Sequence, residues 1–104
     1  MSESEFEAQA AAALEALEQA LDKTELDFEL KPGGVLEIEF DDGSKIIVNR
    51  HAAAREIWVA ARSGGFHYRW DGSAWRDTRS GAELFTTLSE LASQQLGRRI
   101  SLLR

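Results

Sequence analysis

The chain has no cysteine, a single proline and no apolar run near the roughly 20 residues that a membrane-spanning helix needs. Without cysteine there is no disulfide, no thiolate metal site and no cysteine nucleophile. The acidic start, "MSESEFEAQAAAALEALEQALD", has no basic leader, so neither a secretory signal nor a transit peptide is expected. These absences favour a cytoplasmic protein of a reducing, bacterial-type cell, with no membrane partner.

Sequence motifs of the common catalytic sites are also missing. There is no G-x-S-x-G, P-loop, H-E-x-x-H or dinucleotide fingerprint. Carboxylates are plentiful, but acid–base catalysis needs them in a cleft with pKa values driven apart, and outward strand positions do not supply one. The sequence therefore predicts a protein that is not an enzyme.

Basic residues are scarce in the first part of the chain. Residues 1–44 contain 13 Asp and Glu but only two Lys, a net charge of −11, whereas residues 45–104 contain five acids and ten Lys and Arg, a net charge of +5. An acidic half repels phosphate backbones, which argues against nucleic acid as its partner. Cations and basic protein surfaces are the expected partners.

Hydrophobic periodicity predicts a helix at each end of the chain and strands between them. One helix is expected over about residues 4–22, and a second ends at Gly97, with Ser80 and Glu83 as its capping box. Between them the period changes to two, and tight turns such as "KPGG", "DDGS" and "DGS" connect about six strands. Hairpin-length connections make the sheet antiparallel. We therefore predict one α+β domain over residues 1–104, a two-layer α-β sandwich whose two terminal helices cover one face of the sheet.

Carboxylates gather where the first helix meets the first two strands. Alternation turns one set of strand carboxylates outward, and Glu18 and Asp22 lie four residues apart on one helix stripe, with Glu25 in the connection. The outward strand carboxylates are Asp27, Glu29, Glu37 and Glu39. Carboxylates without imidazole or thiolate suit hard cations such as Fe²⁺, Fe³⁺, Mn²⁺, Mg²⁺ and Ca²⁺. The pattern predicts open, weak and poorly selective cation sites, and a merely solvated acidic face is the alternative.

Trp58 raises a different question, because alternation places this indole on the polar face of the sheet. Ile57 and Val59 point into the core, so Trp58 points outward among polar side chains. Those neighbours are Asn49, Glu56, His67 and Arg69. An aromatic residue surrounded by polar groups is a common composition of a binding hot spot. The alternative is a surface aromatic covered by a loop, while Trp70 and Trp75 are expected in or near the core.

Three segments occur in an order typical of one protein family: "GGVLEIEFDDGSKIIVNR", "EIWVAARSGGFHYRWDGSAW" and "SGAELFTTLSELASQQLG". The pattern N-R…(Q/E)-I-W…G-G-x-H-x-x-x-x-G-x-x-W within them is highly specific. Over essentially its full length the chain resembles a bacterial frataxin. The resemblance implies an acidic ridge that binds iron, as Fe²⁺ or Fe³⁺, weakly and reversibly at the surface. It also implies a role in iron–sulfur cluster assembly, through contact with the cysteine desulfurase and its scaffold protein.

Carried over by position, the resemblance implies two groups of site residues. The iron-binding residues are Glu18, Asp22, Glu25, Asp27 and Glu29. The partner-binding residues are Trp58, Asn49, Glu56 and His67. The chain departs from the family in having Gln19, Lys23 and Thr24 where acidic runs are common, so fewer or weaker iron sites are expected. Glu56 replaces the usual glutamine and adds a charge to the contact face.

Three functions remain open at this point. The chain is an iron-binding assembly factor that donates iron or regulates the desulfurase, or it is a docking module that regulates the desulfurase without metal. The third alternative is weak iron oxidation, which the open arrangement of the carboxylates disfavours. A monomer is expected, and oligomerisation with iron is left open.

Overall fold

The computed structural model describes residues 1–103. Along the chain, one helix precedes six consecutive strands and a second helix follows them. The elements are α1 (Glu3–Asp22), β1 (Asp27–Lys31), β2 (Val35–Glu39), β3 (Lys45–His51), β4 (Glu56–Ala61), β5 (Gly64–Trp70), β6 (Trp75–Asp77) and α2 (Leu84–Leu96). The strands form one sheet in chain order, each antiparallel to its neighbours. The predicted two-layer α-β sandwich is confirmed. None of the helices in residues 1–103 is long and apolar enough to cross a membrane.

The hydrophobic core joins both helices to alternate residues of the strands. The buried strand side chains include Leu36, Ile38, Ile46, Val48, Ile57, Val59 and Tyr68. From α1, Phe6 packs edge to face on Trp75 of β6, with the ring centroids 6.0 Å apart. Trp75 is fully buried and Trp70 is partly buried against the core, as the sequence predicts. The alternation of β1 leaves Leu30 about half exposed at the free edge of the sheet.

The start of α2 differs from the sequence prediction. The capping box expected at Ser80 is wrong, because Glu83 is the residue that caps the helix. Its carboxylate accepts hydrogen bonds from the backbone N–H groups of Phe85 at 2.8 Å and Thr86 at 3.0 Å. A carboxylate at this place satisfies two free N–H groups and is favoured by the positive end of the helix dipole. Gly97 ends the helix in the left-handed conformation, with φ 84°, as predicted.

Two serines of α2 hold the segment that follows the helix. Ser89 Oγ accepts a hydrogen bond from the N–H of Leu102 at 2.7 Å, and Ser93 Oγ accepts one from the N–H of Ile100 at 3.0 Å. These bonds place the Leu102 side chain in the core, where it is fully buried. The segment therefore completes the core on the helical side of the molecule.

Arg50 links the first turns of α1 to the turn between β1 and β2. Its guanidinium donates a hydrogen bond to the carboxylate of Glu7, and its side chain crosses the backbone of Gly34. A Cβ at Gly34 would lie 2.5 Å from Arg50 Nε, and the backbone there has φ +76°. Gly33, next in the chain, has φ +87° but open space around it. Gly34 is therefore favoured by its left-handed conformation, and a Cβ there would also displace the Arg50 side chain.

We expect Gly34→Ala to destabilise the protein more than Gly33→Ala. Both variants force a Cβ into the left-handed region, at about 1 kcal/mol each. Only Gly34→Ala also displaces Arg50 from Glu7, which adds up to about 1 kcal/mol for a partly exposed pair. Urea denaturation measures the free energies of unfolding. In an Arg50→Ala background the two glycine variants should become equal, and a difference that persists there would contradict the proposed clash.

Candidate functional site

The five carboxylates predicted to bind iron belong to α1, to the connection after it and to the edge strand β1, and are here called the acidic edge (Glu18, Asp22, Glu25, Asp27 and Glu29). Glu18 and Asp22 are four residues apart in the last turns of α1, and Asp22 is exposed. Thr24 shapes the connection, since its Oγ1 donates to the carbonyl of Leu21 at 2.7 Å and accepts from the N–H of Leu26 at 3.1 Å. The chain therefore enters β1 directly after α1, so only a short connection separates Asp22 from Asp27.

Register between β1 and β2 sets further carboxylates opposite the acidic edge. Asp27 lies opposite Glu39, and Glu29 lies opposite Glu37. Glu37 is not free, because Lys31 Nζ and Lys45 Nζ lie 3.2 Å and 3.3 Å from its two oxygens. Hydrogen bonds from these two lysines lower the pKa of Glu37 below its usual value. Glu37 was expected to join the outward acids, but its charge is balanced by two cations.

Glu25 is the member of the acidic edge that already has a cation beside it. Its carboxylate pairs with the guanidinium of Arg98, which follows α2. Both groups border a shallow cavity of about 490 Å³. The cavity is lined by Glu25, Leu26, Asp27, Glu39, Phe40, Asp41, Leu96 and Arg98. Sequence reasoning missed Arg98, and no local pattern signals that the residue after α2 reaches the start of β1.

The acidic edge offers hard oxygen ligands without a preformed cage. Within residues 1–103, no three His, Asp or Glu side chains converge in a way that could hold a metal ion. A cation here would be held by one or two carboxylates, with water as its remaining ligands. The donor set fits ions that prefer oxygen, such as Fe²⁺, Fe³⁺ and Mg²⁺.

Trp58 stands between two histidines on the face of the sheet that the helices leave open. The His51 ring lies 3.8 Å from the indole with planes 14° apart, and the His67 ring lies 4.3 Å away with planes 9° apart. These histidines come from β3 and β5, which flank β4, so they cover opposite faces of the indole. The ring stack (His51, Trp58 and His67) leaves Trp58 half-buried. The exposed tryptophan that the sequence predicts is thus restrained on both sides.

Glu56 fixes the edge of the same indole. Its Oε1 accepts a hydrogen bond from Trp58 Nε1 at 2.9 Å, and its Oε2 accepts from Arg69 Nε and Nη2 at 3.1 Å and 2.6 Å. His67 Nδ1 lies 3.7 Å from Oε1. Burial alone would raise the pKa of Glu56, but hydrogen bonds from Trp58 and Arg69 outweigh it and lower the pKa below its usual value. Glu56 is only 5% exposed, so the charge that was expected on the contact surface is buried and paired.

The four residues predicted to bind a partner share this face. Asn49 and His67 lie opposite Trp58 on the two neighbouring strands, and Glu56 lies two residues before Trp58 on β4. Sequence reasoning did not include His51, although alternation from Asn49 places it on the same face. Together these groups form a half-exposed aromatic centre with polar side chains around it, which is the kind of surface that anchors a protein contact.

Comparison with known proteins identifies the family. A model of the frataxin-like domain matches residues 1–98. The chain belongs to the frataxin family. This frataxin is 64% identical, over 104 residues, to the iron-sulfur cluster assembly protein CyaY of Dechloromonas aromatica, with 98% of this chain and 99% of that protein covered. It is 55% identical to the CyaY protein of the same description from Paraburkholderia xenovorans, with 93% of each chain covered.

Solved frataxin structures share the fold. The frataxin of Psychromonas ingrahamii superposes with a TM-score of 0.90 at 27% identity, and all of both chains is covered. A trimeric frataxin from the yeast Saccharomyces cerevisiae, complexed with ferrous iron, gives a TM-score of 0.61 at 23% identity, with 94% of this chain and 88% of that chain covered. At that identity the yeast structure shows that the fold is shared, and this frataxin has the same sandwich of two helices and one sheet.

The stabilising effect of the Glu56 carboxylate should depend on pH. Because the folded pKa lies below the usual 4.5, the carboxylate stabilises the folded state above that pH and loses this effect as the pH falls through the folded value. We expect Glu56→Gln to be less stable than the parent chain at about pH 6, and the difference to shrink towards about pH 3. Urea denaturation across this range measures it.

The control for that experiment is Glu90→Gln, which removes an exposed carboxylate from α2. This variant should follow the parent chain at every pH. If the difference in the free energy of unfolding between Glu56→Gln and the parent chain did not change with pH, the stabilising effect would not come from the charge of the carboxylate.

Proposed function

We propose that this chain is an iron-binding protein of iron–sulfur cluster assembly, acting as an iron chaperone or donor, or as a regulator of the cysteine desulfurase. The observation that carries the proposal is the open sheet face, which holds a restrained tryptophan on β4 and has carboxylates on its edge strand β1. The relatives at 64% and 55% identity are named iron-sulfur cluster assembly proteins, and they match this chain over nearly its whole length. That likeness supports the same general role here.

Iron is the cargo in this proposal, and the acidic edge is where it binds. Glu18 and Asp22 form one pair of carboxylates on a helix face, and Asp27 and Glu29 follow on β1. Glu25 joins them only when it leaves Arg98. Since carboxylates and water are the only ligands, the binding of Fe²⁺ or Fe³⁺ is weak and reversible, which suits delivery rather than storage.

The partners in this proposal are the cysteine desulfurase and the scaffold protein. Trp58, Asn49, Glu56 and His67 form the docking surface. The acidic edge attracts a basic patch of the partner and accelerates association, more strongly at low salt. We place this protein in the bacterial cytoplasm as a monomer, without nucleic acid or membrane as partner. In this proposal it is not an enzyme in its own right, because the acidic edge offers only a shallow cavity and no enclosed cleft for acid–base chemistry.

A second function is favoured by the cations that lie among the carboxylates. Arg98 forms an ion pair with Glu25, and Lys31 and Lys45 both pair with Glu37. A large part of the local negative charge is therefore balanced within the protein. These pairs reduce the number of ligands that iron can use. The alternative is a docking module that regulates the desulfurase by contact alone, with metal binding incidental.

Iron binding is tested by adding Fe²⁺ without oxygen and following the loss of NMR amide signals to paramagnetic broadening. We expect the signals of the acidic edge to broaden first and those of α2 to remain. Glu18→Gln combined with Asp22→Asn should remove most of this broadening, because it removes the helix pair of ligands. Sedimentation of the same samples reports whether iron causes oligomers to form.

The matched control combines Glu3→Gln with Glu90→Gln, which removes the same amount of charge elsewhere. This control could weaken iron binding as much as the Glu18→Gln and Asp22→Asn double variant does, or the amide signals near all carboxylates could broaden together. In either case the acidic edge would be no more than a general cation-attracting surface.

Docking is tested with purified cysteine desulfurase and scaffold protein, with and without a chelator. We expect Trp58→Ala to weaken binding by about 2 kcal/mol, or roughly 30-fold, as for a central aromatic residue of an interface. Leu103→Ala, which shortens an exposed side chain beside α1, should bind normally. Binding that a chelator abolishes would favour the iron carrier, and unchanged binding would favour the metal-independent module. Normal binding by Trp58→Ala would refute the docking surface.

A further inference from the structure

The polar groups around Trp58 are mainly hydrogen-bond donors. Cross-strand register places these side chains on one part of the open face, here called the donor band: Asn49, His51, His67, Arg69 and Arg76. His67, Arg69 and Arg76 are exposed. The one carboxylate among them, Glu56, is 5% exposed, and both its oxygens already accept hydrogen bonds. A partner that docks here therefore meets donors whose nearest acceptor is already used.

The hydrogen bonds within the donor band show which donors are left. The N–H of Ala54 donates to His51 Nδ1 at 3.2 Å, so the neutral imidazole carries its proton on Nε2. Arg69 uses Nε and Nη2 for Glu56, and in residues 1–103 its Nη1 has no partner. Arg76 makes only long contacts, at 3.3 Å to Asp71 and 3.5 Å to the carbonyl of Gly81. Each of these groups still has a donor for an incoming oxygen.

Arg69 and Arg76 also lie directly opposite each other across β5 and β6. Like charges at opposed strand positions destabilise a sheet. Each arginine has one carboxylate partner, Glu56 for Arg69 at 2.6 Å and Asp71 for Arg76 at 3.3 Å, and Asp71 also accepts from the backbone N–H groups of Ser73 and Ala74, each at 2.8 Å. A carboxylate brought by a partner would use the donors that these two pairs leave and would further reduce the repulsion.

Beside the ring stack the same face has a flat strip of small and apolar residues, here called the apolar row (Ile47, Ala60 and Gly65). These residues lie opposite one another on β3, β4 and β5. Ala60 and Gly65 are exposed, so an apolar side chain can lie on the strip next to Trp58. Beyond Ile47 lies Glu37 of β2, which is paired with two lysines, and Glu29 of β1 follows it and begins the acidic part of the face. A long polyanion crossing the donor band would be repelled there, whereas a short acidic segment would not.

We propose that the Trp58 face binds an acidic segment of its protein partner, with carboxylates on the donor band and a neighbouring apolar side chain on the apolar row. This inference rests on the proposed function, since it takes the Trp58 face as the docking surface. It adds that the docking partner is bipolar: a basic patch meets the acidic edge, and an acidic segment meets the donor band.

The test uses three blocked hexapeptides, EDLLDE, QNLLNQ and KKLLKK, added to the ¹⁵N-labelled full chain at low salt. We expect EDLLDE to shift the Trp58 indole N–H signal and the amide signals of His51, His67 and Arg69. The neutral peptide should shift them only weakly, and the basic peptide should shift signals of the acidic edge instead. Added salt should weaken the binding of the acidic peptide more than that of the neutral peptide.

Variants then identify the cations that bind the acidic peptide. Arg76→Glu should lower the affinity for EDLLDE by about tenfold, and Arg76→Gln by about threefold. Each variant removes one exposed charge pair with the peptide, and Arg76→Glu also adds repulsion. Arg99→Glu makes the same change of net charge after α2, away from this face, and should leave binding unchanged. Circular dichroism checks that each variant is folded.

Several results would overturn the inference. These are equal shifts from EDLLDE and QNLLNQ, equal losses from Arg76→Glu and Arg99→Glu, or binding of a single-stranded oligonucleotide as tightly as the acidic peptide. If these occurred while Trp58→Ala still failed to bind the desulfurase and the scaffold protein, the docking surface would stand. Only its proposed preference for carboxylates would fail. If Trp58→Ala also bound normally, the proposed function itself would fail.

Discussion

The sheet is covered by helices on one side only, and the rest of the molecule depends on this constraint. Alternate strand residues must be apolar to face α1 and α2, and the residues between them are released to a surface that no helix occupies. That surface is where Trp58 and its histidines lie. Because most of the inward side chains are buried, a shift of one residue in the pairing of the central strands would turn apolar side chains to water. Register is thus fixed by the core, and the core thereby fixes which functional groups are neighbours.

Glu56 shows how a buried charge serves such a surface. Removing a carboxylate from water is costly unless its oxygens are bonded, and here Trp58 and Arg69 supply those bonds. The indole therefore cannot rotate without leaving a buried acceptor unsatisfied. An aromatic residue that is already ordered loses less conformational entropy when a partner arrives. The same bonds keep the negative charge from reaching the surface, so the neighbouring cations dominate what a partner meets.

The sequence supported the architecture well because periodicity and turn chemistry are local. The strands, the sandwich and the outward direction of Trp58 follow from alternation over a few residues. The pairing of Glu25 with Arg98 and of Glu37 with two lysines does not follow, since it depends on register and on side chains from distant elements. The His51 contact is an intermediate case, because alternation places the residue on the correct face but does not give the stacking. The misassigned cap at Ser80 arose because two residues within one turn had suitable side chains, and only the backbone decides between them.

The order of the strands also bears on how the molecule folds. Each strand pairs with the next one along the chain, so every ladder closes through a short turn and the sheet itself has low contact order. The contact of Phe6 with Trp75 is the opposite case, because it joins the first turns of α1 to the last strand. Closing so long a loop costs more conformational entropy than closing a hairpin. The antiparallel ladders are therefore specified locally along the chain, whereas the seal between α1 and β6 depends on residues from opposite ends of the fold.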